Sequence, residues 1–513
     1  MASVVDKKSH LSELTYTPPS AEREVLERLP SVASGTFFPV AVDLELERQA
    51  LKKFDMFLLP QLALLTILAY LDRTNIGNAK VFGFAEGLKL KGNEFNNLVT
   101  FFYITYIVCD VLWVISIQRF GANRVLAVAM VGWSAATFGT GFTHSYGQAM
   151  ACRLILGAFE SGLLPCMIFI ISTVWSRHQQ AKRVAVIYCA TTISGAFGGL
   201  IAYGIQTMGT RLGLEAWRWL FIIEGAISMA VGCVFFITIP VSAEKAWFLN
   251  DEQAECMRAK KERDAAFKGE AKLELKHVRA ALKDPLVYLT GFSLFASSLP
   301  LLGFGTFLPA IILGFGYVNI PQTLFPATAD NINRYRSIQV NYLTIPIYVL
   351  ATISVAIVSF MSDRTKKRAI FLFALPIPVL IGYSIALGTA NNAAGYFSMF
   401  LCGMGIFPFN CIMLAWFSTN VSPDAKRSVG LPIAASIANI SGVLSGQIYP
   451  PSDAPRYISG NAVSLGLEAV ALTGVGLMVL LLKWRMARKN RMLQDGSGDD
   501  KEGDAALSFK YAF

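Results

Sequence analysis

The stretch Met56-FLLPQLALLTILAYL-Asp72-Arg73-Thr74-Asn75 decides how the rest of this chain is read. It is apolar until its last turn and long enough to cross the hydrocarbon core of a bilayer. It then closes on an acid and a base. A charged side chain in a bilayer-length helix costs about 2.5–3.5 kcal/mol even on insertion scales, so such residues face a bundle interior or an aqueous cavity and mark ion or substrate paths. The signature recurs inside another apolar run, at Arg153-x-x-x-Gly157-x-x-Glu160. Arg153 and Glu160 are separated by two helical turns, so both point to one face with Gly157 between them. Two guanidiniums and two carboxylates within apolar segments can hold an organic anion and move protons. Ion pairing that merely pins helices together is the alternative reading of the same residues.

Working outward, the 513 residues are 54% hydrophobic and 16% charged, against roughly 25% charged in soluble domains. A polytopic membrane protein follows. The net charge of +10 does not form one basic domain. Lys and Arg recur in short clusters between apolar runs, which argues for cytoplasmic loops and against nucleic acid. The first 50 residues are polar and show no cleavable signal peptide. Seven of the eight cysteines fall in or at the ends of apolar runs and none forms a CxxC pair, so neither a disulfide framework nor a zinc site is expected. The four scattered histidines disfavour a di-iron enzyme, and no GxxxxGK[ST] motif supports ATP hydrolysis. No metal or cofactor is expected.

Apolar runs near 20 residues give twelve predicted spans, at about 56–75, 95–117, 122–142, 147–174, 183–208, 217–239, 286–316, 338–360, 369–388, 395–416, 428–449 and 461–483. The predicted fold is all-α, with two pseudo-symmetric six-helix halves at 51–239 and 285–485. A polar central loop (240–284) separates them, with tails at 1–50 and 486–513. Basic clusters around Arg119/Arg124, Arg177/Lys182/Arg183, Arg364/Lys366/Lys367/Arg368 and Lys483–Arg491 share one side, so both termini and the loop are expected in the cytoplasm. The sequon Asn420-Val-Ser422 then faces the cytosol and stays unglycosylated. Residues 1–45 and 492–513 read as disordered by composition.

The six-plus-six layout resembles the major facilitator superfamily. Several motifs are similar to its anion:cation symporter family, in particular the fungal allantoate permease-like branch. They are Leu71-Asp72-Arg73-Thr74-Asn75-Ile76-Gly77-Asn78-Ala79-Lys80, then Arg153…Gly157…Glu160…Pro165, Trp217-Arg218-Trp219-Leu220-Phe221…Glu224-Gly225, Ala415-Trp416…Asn420-Val421, and Ala454-Pro455-Arg456-Tyr457…Gly460. The similarity runs over about residues 45–485. Two features depart from the superfamily. The loop after the second span, Val114-Ile-Ser-Ile-Gln118-Arg119-Phe120-Gly121-Ala122-Asn123-Arg124, carries Val114 and Gln118 where the superfamily has its first glycine and its aspartate, and Gly195-Ala196-Phe197-Gly198 lacks the proline of drug antiporters. The equivalent loop after the eighth span keeps Ser362-Asp363-Arg364, so gating contacts are assigned to Asp363 and Arg364.

The resemblance implies that Asp72 and Glu160 are the protonatable pair and that Arg73 and Arg153 compensate them or contact a substrate carboxylate. Asp72 and Arg73 stand about 100° apart on a helix, so one lines the cavity while the other faces a neighbouring helix. Asn410, Phe304 and Phe307 are further candidates for the cavity wall, equally suited to interhelical packing. Glu224 is expected to pair with Arg218, and the run Lys260-Lys261-Glu262-Arg263-Asp264 to lie on a solvated surface helix. The function implied is uptake of a small carboxylate-bearing solute with protons by alternating access in a fungal plasma membrane, by a monomer. The solute would be a vitamin, a ureide or a nicotinate-like acid. An exporter or facilitator of an organic anion is the alternative, then a nutrient sensor, against which the short tails count. Nothing in the motifs suggests an enzyme.

Overall fold

A computed structural model describes residues 44–175, 177–267, 275–314, 329–422, 424–494, 504, 506–507 and 509–512. The disorder expected for the N-terminal tail, apart from its last two residues, lies outside this set, as do the side chains of Lys182, Arg263 and Asp264.

The first half comprises α1 (Leu44–Val81), the short α2 (Phe84–Gly87), α3 (Glu94–Phe120), α4 (Ala122–Thr140), α5 (Tyr146–Glu160), α6 (Leu163–Val174), α7 (Arg177–Met208) and α8 (Ala216–Thr238). The loop contributes α9 (Asp251–Phe267) and α10 (Leu275–Leu282). The second half comprises α11 (Pro285–Gly314), α12 (Ala329–Thr365), α13 (Arg368–Ala374), α14 (Pro376–Gly388), α15 (Asn392–Asn420), α16 (Asp424–Ser445) and α17 (Ile458–Gln494). Among the described residues ten helical segments are long and apolar enough to cross a membrane, counting α5–α6 and α13–α14 as one each. α4, and α16 with its shorter apolar stretch Val429–Ser445, complete the six-plus-six bundle.

Two predicted spans are broken. Pro165, in the first turn of α6, has no amide to donate back to Ser161, so the helix is interrupted at Ser161-Gly162. Glu160 is thereby left as the last residue of α5. Pro376 divides α13 from α14 in the same way.

The halves meet along three helix pairs, α1 with α11, α3 with α16 and α7 with α12. The α1–α11 and α3–α16 contacts lie at the end of the bundle away from the start of α1. Gly77 of α1 packs so closely on α11 that a Cβ there would overlap the Thr306 carbonyl. Asn96 Nδ2 donates to the Tyr449 carbonyl (3.0 Å), Thr100 Oγ1 to the Val443 carbonyl (3.1 Å) and Gln447 Nε2 to Thr100 Oγ1 (2.9 Å). Near mid-bundle Thr352 Oγ1 donates to Thr192 Oγ1 at 2.9 Å.

The end of the bundle at the start of α1 and the close of α17 corrects two expectations. Lys260 is not solvated. Its ammonium is buried and donates to the Val174 carbonyl, capping the C-terminal end of α6, where a cation is favoured. The C-terminal tail is not uniformly disordered either. α17 runs on to Gln494, and residues 509–512 return against the second half. Trp416 Nε1 donates to the Ala512 carbonyl (2.9 Å), and the Asn420 amide donates to that carbonyl while accepting from the Ala512 N–H. A buried charge cluster of Asp284, Lys426, Arg485 and Asp504 sits beneath, with Lys426 Nζ 2.6 Å from Asp284 and 2.7 Å from Asp504. Composition misjudged this segment because a few specific partners, rather than bulk hydrophobicity, hold it down. The sequon asparagine is buried, its amide hydrogen-bonded to the carbonyls of Trp416 and Ala512.

Candidate functional site

Because Asp72 and Arg73 are consecutive, α1 sends them in different directions. Arg73 turns toward the space between the halves. Its Nε donates to Glu160 Oε1 at 3.0 Å and its Nη2 to the same oxygen, while Glu160 Oε2 has no hydrogen-bond partner among the described residues. α5 and α3 approach closely enough for this because Gly157 lies against the Phe102 carbonyl, a place a Cβ would fill. The guanidinium carbon sits over Tyr70 (4.8 Å), Tyr106 (5.0 Å), Phe102 (5.5 Å) and Tyr103 (5.8 Å). An arginine surrounded by ring faces keeps its charge with few hydrogen bonds, since the ring quadrupoles attract it.

Asp72 turns the other way, into the interior of the first half. It is buried and interacts electrostatically with Arg153 and Glu160. Thr137 and Trp133 of α4 face its carboxylate, yet among the described residues neither oxygen has a donor at hydrogen-bond distance. Arg153 lies over the Phe221 ring at 5.7 Å, and its Nε and Nη2 make no hydrogen bond. Glu224 is the third acid of this group, coupled electrostatically to Asp72. The expected Glu224–Arg218 pair is absent. Arg218 instead donates to the carbonyls of Gly141 (3.1 Å) and Thr143 (2.6 Å) and pairs with Glu215. Six residues along a helix is about 120° short of a full turn, so the two side chains face apart. The first half therefore buries Asp72, Glu160 and Glu224 against Arg73 and Arg153.

Between the halves lies a cavity walled by Tyr70, Arg73, Thr74 and Tyr103 from one side and by Gly305, Tyr348, Phe407 and Asn410 from the other, with Tyr188 and Thr191 of α7 between them. It is narrow, about 50 Å³. An engineered cavity that admits benzene measures roughly 150 Å³, so a ring-sized solute enters only as the walls part.

Of the residues proposed from sequence, Arg73 and Asn410 reach this wall, and Arg153 stays in the interior of the first half. Phe304 stands one layer back, edge-on to Tyr348 (6.3 Å) and Phe407 (6.4 Å). Phe307 belongs to the seam, its ring tilted against Tyr449 (5.1 Å), with the Lys80 ammonium over both it (5.0 Å) and Phe95 (4.4 Å). Asp363 pairs with Arg368 (3.1 Å) rather than with its neighbour Arg364, which is exposed, and Arg368 also reaches the Ala415 carbonyl of α15. The tyrosine wall was not found from sequence, although Tyr70 lies one turn from Arg73 and Tyr103 one turn from Tyr106. Nor was Glu468 of α17, a fully buried carboxylate that accepts from Ser297 Oγ at 3.1 Å.

This architecture is shared with known transporters. The chain is 35% identical over 487 residues to an uncharacterized transporter of Schizosaccharomyces pombe, covering 94% of this chain and 93% of that protein. It is 30% identical over 475 residues to the high-affinity nicotinic acid transporter of Saccharomyces cerevisiae, covering 91% and 85%. Among solved structures it resembles an inward-facing, unoccupied bacterial homologue of the human lysosomal transporter Spinster (TM-score 0.59, 13% identity, 85% of this chain and 96% of that one). It also resembles the proton:xylose symporter XylE (TM-score 0.58, 14% identity, 82% and 95%). Residues 62–446 match the model of the Major Facilitator Superfamily, and with a six-plus-six bundle closed around a central arginine-bearing cavity the chain belongs to that superfamily of membrane transporters, not to an enzyme family.

Proposed function

We propose that this transporter imports a small organic anion together with protons across the plasma membrane, with both termini in the cytoplasm. The observation that carries the reading is the position of Arg73, on the cavity wall yet neutralised from behind by the buried Glu160. A substrate carboxylate arriving in the cavity competes with Glu160 for the same guanidinium fork, whose planar donors suit either partner. Losing its partner, Glu160 is left buried and ionised, which is costly unless it takes a proton. Substrate binding and protonation then favour one another, and the pair crosses together as the halves rock about the site. The surplus of acids, three against two arginines, lets Asp72 and Glu224 pass or store that proton. The aromatic lining from Tyr70, Tyr103, Tyr348 and Phe407 suits a flat acid such as nicotinate, the solute in the name of the yeast relative.

The test is uptake of labelled nicotinate into proteoliposomes under an imposed proton gradient, with and without an uncoupler, alongside nicotinamide as the neutral analogue. Accumulation of nicotinate that collapses with the uncoupler, and no accumulation of nicotinamide, is expected. Gradient-independent equilibration would point to a facilitator. Equal handling of acid and amide would overturn the anion reading.

A further inference from the structure

Glu468 lies in α17, in the half opposite the Arg73–Glu160 pair, and its side chain is fully buried. Its Oε1 accepts from Ser297 Oγ (3.1 Å) and its Oε2 has no hydrogen-bond partner among the described residues. Ser297 Oγ in turn accepts from Asn410 Nδ2 (3.2 Å), and Asn410 Oδ1 accepts from Ser298 Oγ (2.8 Å). Asn410 Nδ2 also donates to the Ile406 carbonyl (3.1 Å), which fixes the amide so that its nitrogen points to Ser297. Every donor in this chain, from Ser298 through Asn410 and Ser297, points toward Glu468. One member, Asn410, lines the central cavity.

The titratable groups around Glu468 are neutral. Tyr383 of α14 and Cys402 of α15 interact with it, and Ser297 is its contact on α11. No cationic side chain among the described residues contributes to its field. An ionised carboxylate this deep, with no cation beside it among the described residues, is costly to keep. An ionised Glu468 is served by a chain polarised toward it. An anion on the cavity side calls on the same hydroxyl and amide groups to point the other way, and it adds a second negative charge across a low-dielectric layer.

We propose that Glu468 is a second proton-binding site of this transporter, wired to the substrate cavity through Ser297 and Asn410, so that anion entry and protonation of Glu468 favour one another. The linkage is reciprocal by thermodynamic necessity, so the proton bound there also tightens the anion. The anion part of this proposal rests on the reading given above, whereas the proton site and its wiring do not.

The experiment is infrared difference spectroscopy on the full-length protein in lipid nanodiscs, stepped in pH without ligand and then with nicotinate. The wild type is expected to show a protonated-carboxyl C=O band that is missing in Glu468→Gln, an isosteric change whose folding is checked by membrane abundance. Ser297→Ala and Asn410→Ala should each keep the band but shift its frequency and its pH midpoint. Nicotinate should raise the protonated fraction in the wild type and lose that effect in Ser297→Ala. A spectrum of Glu468→Gln identical to wild type would overturn the proton site. A Glu468 band unmoved by Ser297→Ala and Asn410→Ala would overturn the wiring. Should nicotinate leave the wild type unchanged while both alanine variants shift the band, the anion reading fails and the wired proton site stands.

Discussion

Replacing Glu160 by glutamine separates coupling from architecture. The change keeps the size of the side chain and an acceptor oxygen for Arg73, but removes the charge and the ability to release a proton. Stripping the partner from a buried ion pair costs roughly 3–5 kcal/mol in soluble proteins. Here the guanidinium is partly exposed on the cavity wall, with 12% of its side chain accessible, and four ring faces surround it. Each ring contact is worth about 0.5–1 kcal/mol at such a site, so the expected folding cost falls to about 1–2 kcal/mol and membrane abundance stays near wild type. The more telling effect is on affinity. A hydrogen bond to a charged group is worth about 1.5–3 kcal/mol, and once Glu160 no longer competes at that strength, nicotinate should bind about 10–100-fold more tightly. Wild-type affinity should rise as the pH falls, because protonating Glu160 frees Arg73, and the variant's should not. Counterflow exchange should survive while gradient-driven accumulation disappears. Abundance, binding, exchange and accumulation are measured on one preparation, with Arg73→Lys as a control that keeps the charge but loses the fork. Intact gradient-driven accumulation at normal abundance would refute the reasoning. So would a collapse in abundance with binding unchanged, which marks a purely structural pair.

Two other predictions follow from the seam and the tail. Gly77→Ala places a methyl group on the Thr306 carbonyl, so the halves cannot close on the side away from the termini. Transport should fall at least tenfold, an increase of about 1.4 kcal/mol or more in the closed state, and cysteines introduced near Asn96 should gain reactivity; unchanged labelling would refute this. At the other end, burial alone would raise the Asp284 carboxyl, but Arg485 and Lys426 override it and hold it below its ordinary value. A depressed folded-state value means that its contribution is fully present above about pH 3.9 and fades only as the pH falls through the lower folded value. Protease resistance of the C-terminal residues should therefore be flat across neutral and mildly acidic pH, and Asp284→Asn should abolish it at all of them. A loss centred near neutrality would show that another group holds the tail.

Sequence alone determined the membrane class and the all-helical fold, and it singled out Asp72, Arg73, Arg153 and Glu160, which the structure packs together. Bilayer-length apolar runs and the energetic cost of charge within them are local properties, readable along one chain. Periodicity also determined that Asp72 and Arg73 diverge, since consecutive residues on any helix do. It could not say what each would meet. Arg153 and Glu160 share a face, which invites pairing them, yet Glu160 takes Arg73 and leaves Arg153 to the field of Asp72. That choice depends on how three helices rotate about their own axes, and each rotation is set by packing such as Gly157 against α3. Glu224 and Arg218 failed as a pair for a local reason instead, since six residues on one helix set their side chains about 120° apart. Glu468 drew no notice as one acid in a long apolar run, because its meaning lies in Ser297 and Asn410, 171 and 58 residues away in sequence but on helices packed around it. The docked C-terminal residues escaped composition because a cluster drawn from the starts of α11 and α16 and the end of α17 exists only once those helices have assembled.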